Sequence, residues 1–148
     1  MNAYLEHEAN AKVLAVLSKP DVPVVAFPFS VKDPYMGQDC HPDIVERIWD
    51  QIGKVFVTDA RCLVYGRTAL VDPATGIIVA VGYGTPYCVR IPVAEVPEAI
   101  KLGASISAKW PSGETTNIQD KFGEGWVFGA WLNQEAAWCQ QASNEVGG

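Results

Sequence analysis

The sequence predicts a single α+β domain over residues 1–148, with a mostly antiparallel sheet centred on residues 61–91 and three to four helices packed on it. Three observations lead there. Residues 61–91 fall into β-rich runs separated by two turn motifs, Asp72-Pro73-Ala74-Thr75-Gly76 and Gly82-Tyr83-Gly84-Thr85-Pro86. Apolar residues recur at helical spacing near both ends of the chain. The 148 residues are 49% hydrophobic, enough for a core that needs neither metal nor disulfide. Surface scaling for a chain of this mass predicts roughly 7,400 Å² exposed after folding.

Leu5, Val13, Leu14 and Leu17, with charges between them, predict an amphipathic helix over 5–18, stopped by Lys19-Pro20-Asp21. Pro23 to Phe29 is extended and apolar. Its prolines exclude a central strand and predict an edge strand or a loop over the core. Residues 30–41 form a polar loop. Pro42 suits the first position of a second helix, because its missing N–H would be unpaired there anyway. Asp43 and Glu46 offer a competing capping box. Ile44, Val45, Ile48, Trp49 and Ile52 give the apolar face, and Gly53 is the expected stop.

Val55–Thr58 predicts a short strand and Arg61–Val71 a longer one, with a break at Gly66. After the Asp72–Gly76 turn, Ile77–Val81 is β-branched and apolar on both faces, which predicts a central strand covered on both sides. Tyr87–Ile91 alternates, placing Tyr87, Val89 and Ile91 on one face and Cys88 and Arg90 on the other. The whole of 61–91 reads as a three-stranded meander. Ala94–Leu102 predicts a helix capped by Gly103. Ala104–Trp110 and Thr115–Ile118 predict a hairpin about Pro111–Glu114. Asp120–Gly125 reads as a flexible loop and Trp126–Leu132 as extended. Asn133 is the expected N-cap of a last helix from Gln134 to about Asn144, with Gly147 and Gly148 frayed.

Charge narrows the function. The chain has 11 bases and 17 acids, a net −6. Residues 1–74 carry 7 bases and 10 acids, and residues 75–148 carry 4 and 7, so each half is −3. Neither half has the basic footprint of nucleic-acid binding, and an anionic membrane is an equally poor partner. The start lacks a basic, apolar signal segment, and the longest apolar run, Ile77–Val81, is too short to span a bilayer. A cytoplasmic protein is expected. Cys40, Cys62, Cys88 and Cys139 form no C-x-x-C pair, and the last three sit among apolar or aromatic neighbours, which predicts reduced, buried thiols.

The densest polar segment is Asp33, Tyr35, Asp39, Cys40, His41 and Asp43. Cys40 beside His41 at a helix start is a weak catalytic candidate, since a helix N-terminus favours thiolate. Three nearby carboxylates oppose that charge, and sequence neighbours rarely point at one another. The simpler expectation is a helix cap provided by Asp39 or Asp43. No metal site is expected from Asp39, Cys40, His41 and Asp43, and no cofactor from the chain as a whole. The other histidine, His7, is expected to face solvent. Gly82–Pro86 lacks the lysine and spacing of a phosphate loop, leaving Tyr83 as a contact residue at a turn tip.

Arg61, Arg67 and Arg90 lie on predicted strands. Arg61 and Arg67, six apart, share a face if their strand is continuous, and such a pair can bind carboxylate or phosphate. Internal pairs with Asp59 and Asp72 are the simpler account. Trp110, Trp126, Trp131 and Trp138 crowd the last 39 residues among Glu114, Asp120, Glu124, Glu135 and Glu145. A core stripe explains most of them. Trp126 and Trp131 with Asp120 and Glu124 also suit an interface for a basic protein.

These features predict a non-enzymatic, acidic, cytosolic protein-binding domain, of the kind that neutralises a toxin as an immunity protein does. The alternatives are a small enzyme using the Cys40–His41 loop, and an accessory subunit that pairs with its own copy through the apolar edge near Val24–Phe29 or the C-terminal aromatics.

Overall fold

A computed structural model describes residues 5–26, 33, 35–36 and 40–147, and it is an α+β fold. A six-stranded antiparallel sheet has the order β1-β2-β3-β4-β5-β8, and β6 and β7 form a separate hairpin. Its strands are β1 (Val25–Ala26), β2 (Arg61–Val64), β3 (Arg67–Val71), β4 (Ile78–Gly82), β5 (Tyr87–Arg90), β6 (Ser107–Lys109), β7 (Thr115–Asn117) and β8 (Trp126–Phe128). Five α-helical segments accompany them: α1 (Ala11–Leu17), α2 (Pro42–Glu46), α3 (Val96–Lys101), α4 (Ile118–Phe122) and α5 (Glu135–Gly147). The exposed area, 7465 Å², matches the size expected for a compact chain of this mass.

Helices cover both faces of the sheet. On one side α2, its continuation and α5 bury Ile48, Trp49, Ile52 and Cys139 against Leu63, Leu70, Val79 and Val89. On the other, α1 and α4 bury Val13, Leu17, Ile118 and Phe122 against Val64, Val71, Ile78 and Cys88. Strand β4 is buried at every position, as its two-sided apolar sequence predicts. Its register shifts opposite Leu70 and Val71, so Val79 bulges out and Ile78 and Val81 reach the same side.

Several boundaries differ from expectation for identifiable reasons. Residues 61–91 form four strands, not three, because Tyr65 (φ 52°) and Gly66 (φ 80°) make a two-residue hairpin turn with both φ positive. Gly53 does not stop the second helix. From Arg47 to Ile52 the backbone widens to a π-helix, and Gly53 (φ −62°) continues into a 3-10 turn through Val55. That winding takes Val55, and Phe56–Thr58 follow as bends without the strand expected at Val55–Thr58. Residues 120–125 are not simply a loop. Asn117 Oδ1 accepts from the amides of Gln119 and Asp120, at 2.9 and 3.1 Å, and starts α4. The last helix begins at Glu135, after Asn133, and runs to Gly147 against Thr75.

The Asp72–Gly76 turn forms as expected, with Asp72 Oδ1 accepting from Ala74 N and Gly76 at φ 76°. Val25–Ala26 is an edge strand, whereas Phe27–Phe29 lie outside the described residues. Among the described residues no helix is long and apolar enough to cross a membrane.

Candidate binding surfaces

The three strand arginines are dispersed. The hairpin turn at Tyr65–Gly66 puts Arg61 and Arg67 on different strands, where Arg61 pairs with Leu70 and Arg67 with Val64. That register places them on opposite sheet faces, so the shared-face expectation fails. Arg61 forks onto Asp59 at 2.7–3.2 Å, and this bond holds the Asp59 carboxyl below its usual range. Arg90 is buried against the Trp126 ring at 5.0 Å and donates to the carbonyls of Ile78 and Ala9. Burial pushes its guanidinium down to about 10, so it stays charged at neutral pH as a structural clamp.

Arg67 and Tyr83 are brought together. A groove of about 460 Å³ is lined by both, with Lys19, Gly84, Trp110, Ser112 and Glu114. Tyr83 is half-buried rather than projecting from a turn tip, held among Trp110, Phe122 and Phe128 at centroid distances of 5.8, 5.9 and 6.1 Å. The Arg67 guanidinium lies over its ring at 5.7 Å and donates to the Gly82 carbonyl at 3.1 Å.

The expected acidic–aromatic interface is divided. Trp126 is fully buried, so its ring forms core and presents nothing to a partner. Trp131 is 48% exposed, and Asp120 and Glu124 are exposed. Glu124 and Val93 line two adjoining hollows of about 200 and 300 Å³. Glu145 and Val146 close the smaller one. Val93 and Val146 are 57% and 43% exposed, so an apolar surface there is edged by carboxylates.

His41, not Asp39 or Asp43, caps the second helix. Its Nδ1 accepts from Asp43 N at 3.1 Å. His7 does the same for the 3-10 turn at Glu8–Asn10, with Ala9 N at 3.0 Å, and is half-buried. Both histidines are therefore committed to backbone amides. Cys40 is half-buried, and burial pushes its thiol up, outweighing the Arg67 charge and the Gly84 amide that pull it down. A raised thiol works against nucleophilic use. Cys62, Cys88 and Cys139 are free and buried, and burial pushes Cys62 up to about 12. Among the described residues no three His, Cys, Asp or Glu side chains are placed to hold a metal; Asp39 lies outside those residues.

Sequence reading missed one polar constellation. Glu135, 1% exposed, accepts from Arg47 Nη2 at 2.8 Å, from Ala130 N at 2.9 Å and from the Tyr87 hydroxyl. The Tyr87 oxygen accepts in turn from Trp131 N at 2.8 Å. Burial lowers the Arg47 guanidinium, but its bonds to Glu135 and Tyr87 outweigh that and hold it above its ordinary value. These bonds, with those from Arg47 to Gln51 and the Leu132 carbonyl, make the cluster a brace joining the π-helix, β5 and α5. An exposed-looking Glu135 at a helix start gave no sign of burial. The π-helical Arg47 was equally silent.

Compared with known proteins, the chain matches no family model, no curated protein and no solved structure.

Proposed function

We propose that the protein is a non-enzymatic binding domain for a basic protein partner, which docks on the face around Val93 and Glu124. The observation that carries this reading is the pair of adjoining hollows sharing those two residues, with Glu145 and the exposed Val146 beside them. An apolar centre edged by carboxylates complements a partner with an apolar anchor flanked by Lys or Arg. The chain's net −6 speeds the approach of such a partner. Neutralising a cationic toxin is a role of this kind. Trp126 has no part in the contact, because it is core. Arg90 lines the smaller hollow, but it is buried and its guanidinium is bound to the Ile78 and Ala9 carbonyls. Glu124 is therefore the sequence-predicted residue that remains exposed in the contact.

The test is comparative capture from the protein's own host with the native chain, Glu124→Lys and Val93→Asp. The expected result is one stoichiometric basic chain retained by the native protein, released by salt and lost from both variants. No retained chain, or the same chain retained equally by all three, overturns the reading.

A further inference from the structure

We propose that the groove beside Arg67, on a different part of the surface from the Glu124 face, is a binding site for a small organic oxyanion: a carboxylate or phosphate carried on an aromatic body. Arg67 is the reason for the anion. Among the described residues it has no carboxylate partner, and its one hydrogen bond is a single Nη1 contact to the Gly82 carbonyl at 3.1 Å. A guanidinium has five N–H donors in a planar fork that fits two oxygens of one oxyanion. The Tyr83 ring, 5.7 Å from the guanidinium carbon, and the bond to the Gly82 carbonyl hold the guanidinium at the groove before any ligand arrives.

Lys19 and Glu114 also line the groove, one charge of each sign beside Arg67, so it is Arg67 itself that selects an anion. Trp110 is the reason for the aromatic body. Its indole N–H is spent on Thr116 Oγ1 at 2.7 Å and its ring packs on Tyr83 and Phe128, so what it presents to the groove is half-exposed aromatic surface. Val16 and Leu17 supply apolar wall nearby. A volume of about 460 Å³ admits a ligand of one ring and one anionic group. Gly84, at φ 86°, lines the groove with no atom in the place a Cβ would occupy, so the backbone there leaves room.

The test is a titration of the isotope-labelled full chain, read at the Trp110 indole N–H and the amides of Tyr83 and Gly84. Phenyl phosphate and phenylacetate are the two oxyanion probes, benzyl alcohol the neutral one and inorganic phosphate the bare ion. At least one oxyanion probe is expected to give saturable shifts at all three positions, with benzyl alcohol about tenfold weaker or worse. Which of the two binds tighter assigns phosphate or carboxylate. Arg67→Gln is expected to weaken that probe about tenfold, and Trp110→Phe to spare inorganic phosphate while weakening the aromatic probe. No saturable shift up to roughly ten millimolar, or equal binding of benzyl alcohol, overturns the proposal. So does inorganic phosphate binding as tightly as both aromatic probes, which would mean an adventitious ion only. These comparisons on the native chain decide the matter even if Arg67→Gln does not fold.

Discussion

Arg47 and Glu135, 88 residues apart in the chain, meet at 2.8 Å with the carboxylate 1% exposed. Arg47 is also bound to Gln51 at 3.1 Å and to the Leu132 carbonyl at 2.8 Å, and it lies over the Trp131 ring at 5.4 Å. This pair locks the π-helix to the start of α5 and holds Trp131 at φ 59°, a backbone region that a bulky residue rarely occupies.

Removing the carboxylate strands a nearly buried guanidinium and two donors. Glu135→Ala is therefore expected to lower unfolding free energy by about 3–5 kcal/mol. Glu135→Gln keeps an acceptor and should lose clearly less. Urea unfolding followed by circular dichroism measures both. A loss below about 1 kcal/mol for the alanine variant would show that the brace contributes little.

Gly82 and Cys40 make the second test. A Cβ at Gly82 would overlap the Cys40 sulfur, yet clear the Cys40 Cβ at 3.4 Å. Gly82→Ala alone should destabilise the protein by about 1–3 kcal/mol through this overlap. Cys40→Ala removes the sulfur, so the double variant should recover most of the loss. Additive losses in the double-mutant cycle would exclude the close approach as the cause.

Alkaline pH gives the third. Burial raises the thiols of Cys62, Cys88 and Cys139 above their ordinary 9.0, and burial with the Glu135 charge raises the Tyr87 phenol above 10.0. In the unfolded chain these groups lose their protons from about pH 9 upward, while the folded chain keeps them. The unfolded state then binds fewer protons, so stability is full below pH 9 and falls as pH rises through the window up to about 12 set by Cys62. Each thiol contributes a slope of about 1.4 kcal/mol per pH unit once its unfolded form is ionised. Urea midpoints between pH 8 and about 10.5 should fall steeply, and flat midpoints would contradict the burial of the thiols.

Local chemistry wrote much of this fold into the sequence. The Asp-Pro-Ala-Thr-Gly turn, the two-sided apolar run of β4, the alternation of β5 and the 107–117 hairpin all follow from turn residues and period. These signals act over a few residues, so one chain suffices to read them. The helical α4 carried such a signal too, an Asn117 cap with Ile118 and Phe122 four apart, outweighed by the glycines that follow.

What only tertiary structure decided is which side chains meet. The sequence placed Arg61 and Arg67 six residues apart; a two-residue turn sent them to opposite faces. It showed Trp126 among acids; the closing of β8 on β5 buried that ring beneath Arg90. Glu135 and Arg47 became partners, and Arg67, Tyr83 and Trp110 came to share one groove, because strand order and helix placement bring distant segments together. Short-range preferences set the elements, whereas burial and pairing are properties of the assembled layers, fixed by contacts that no local window of sequence contains.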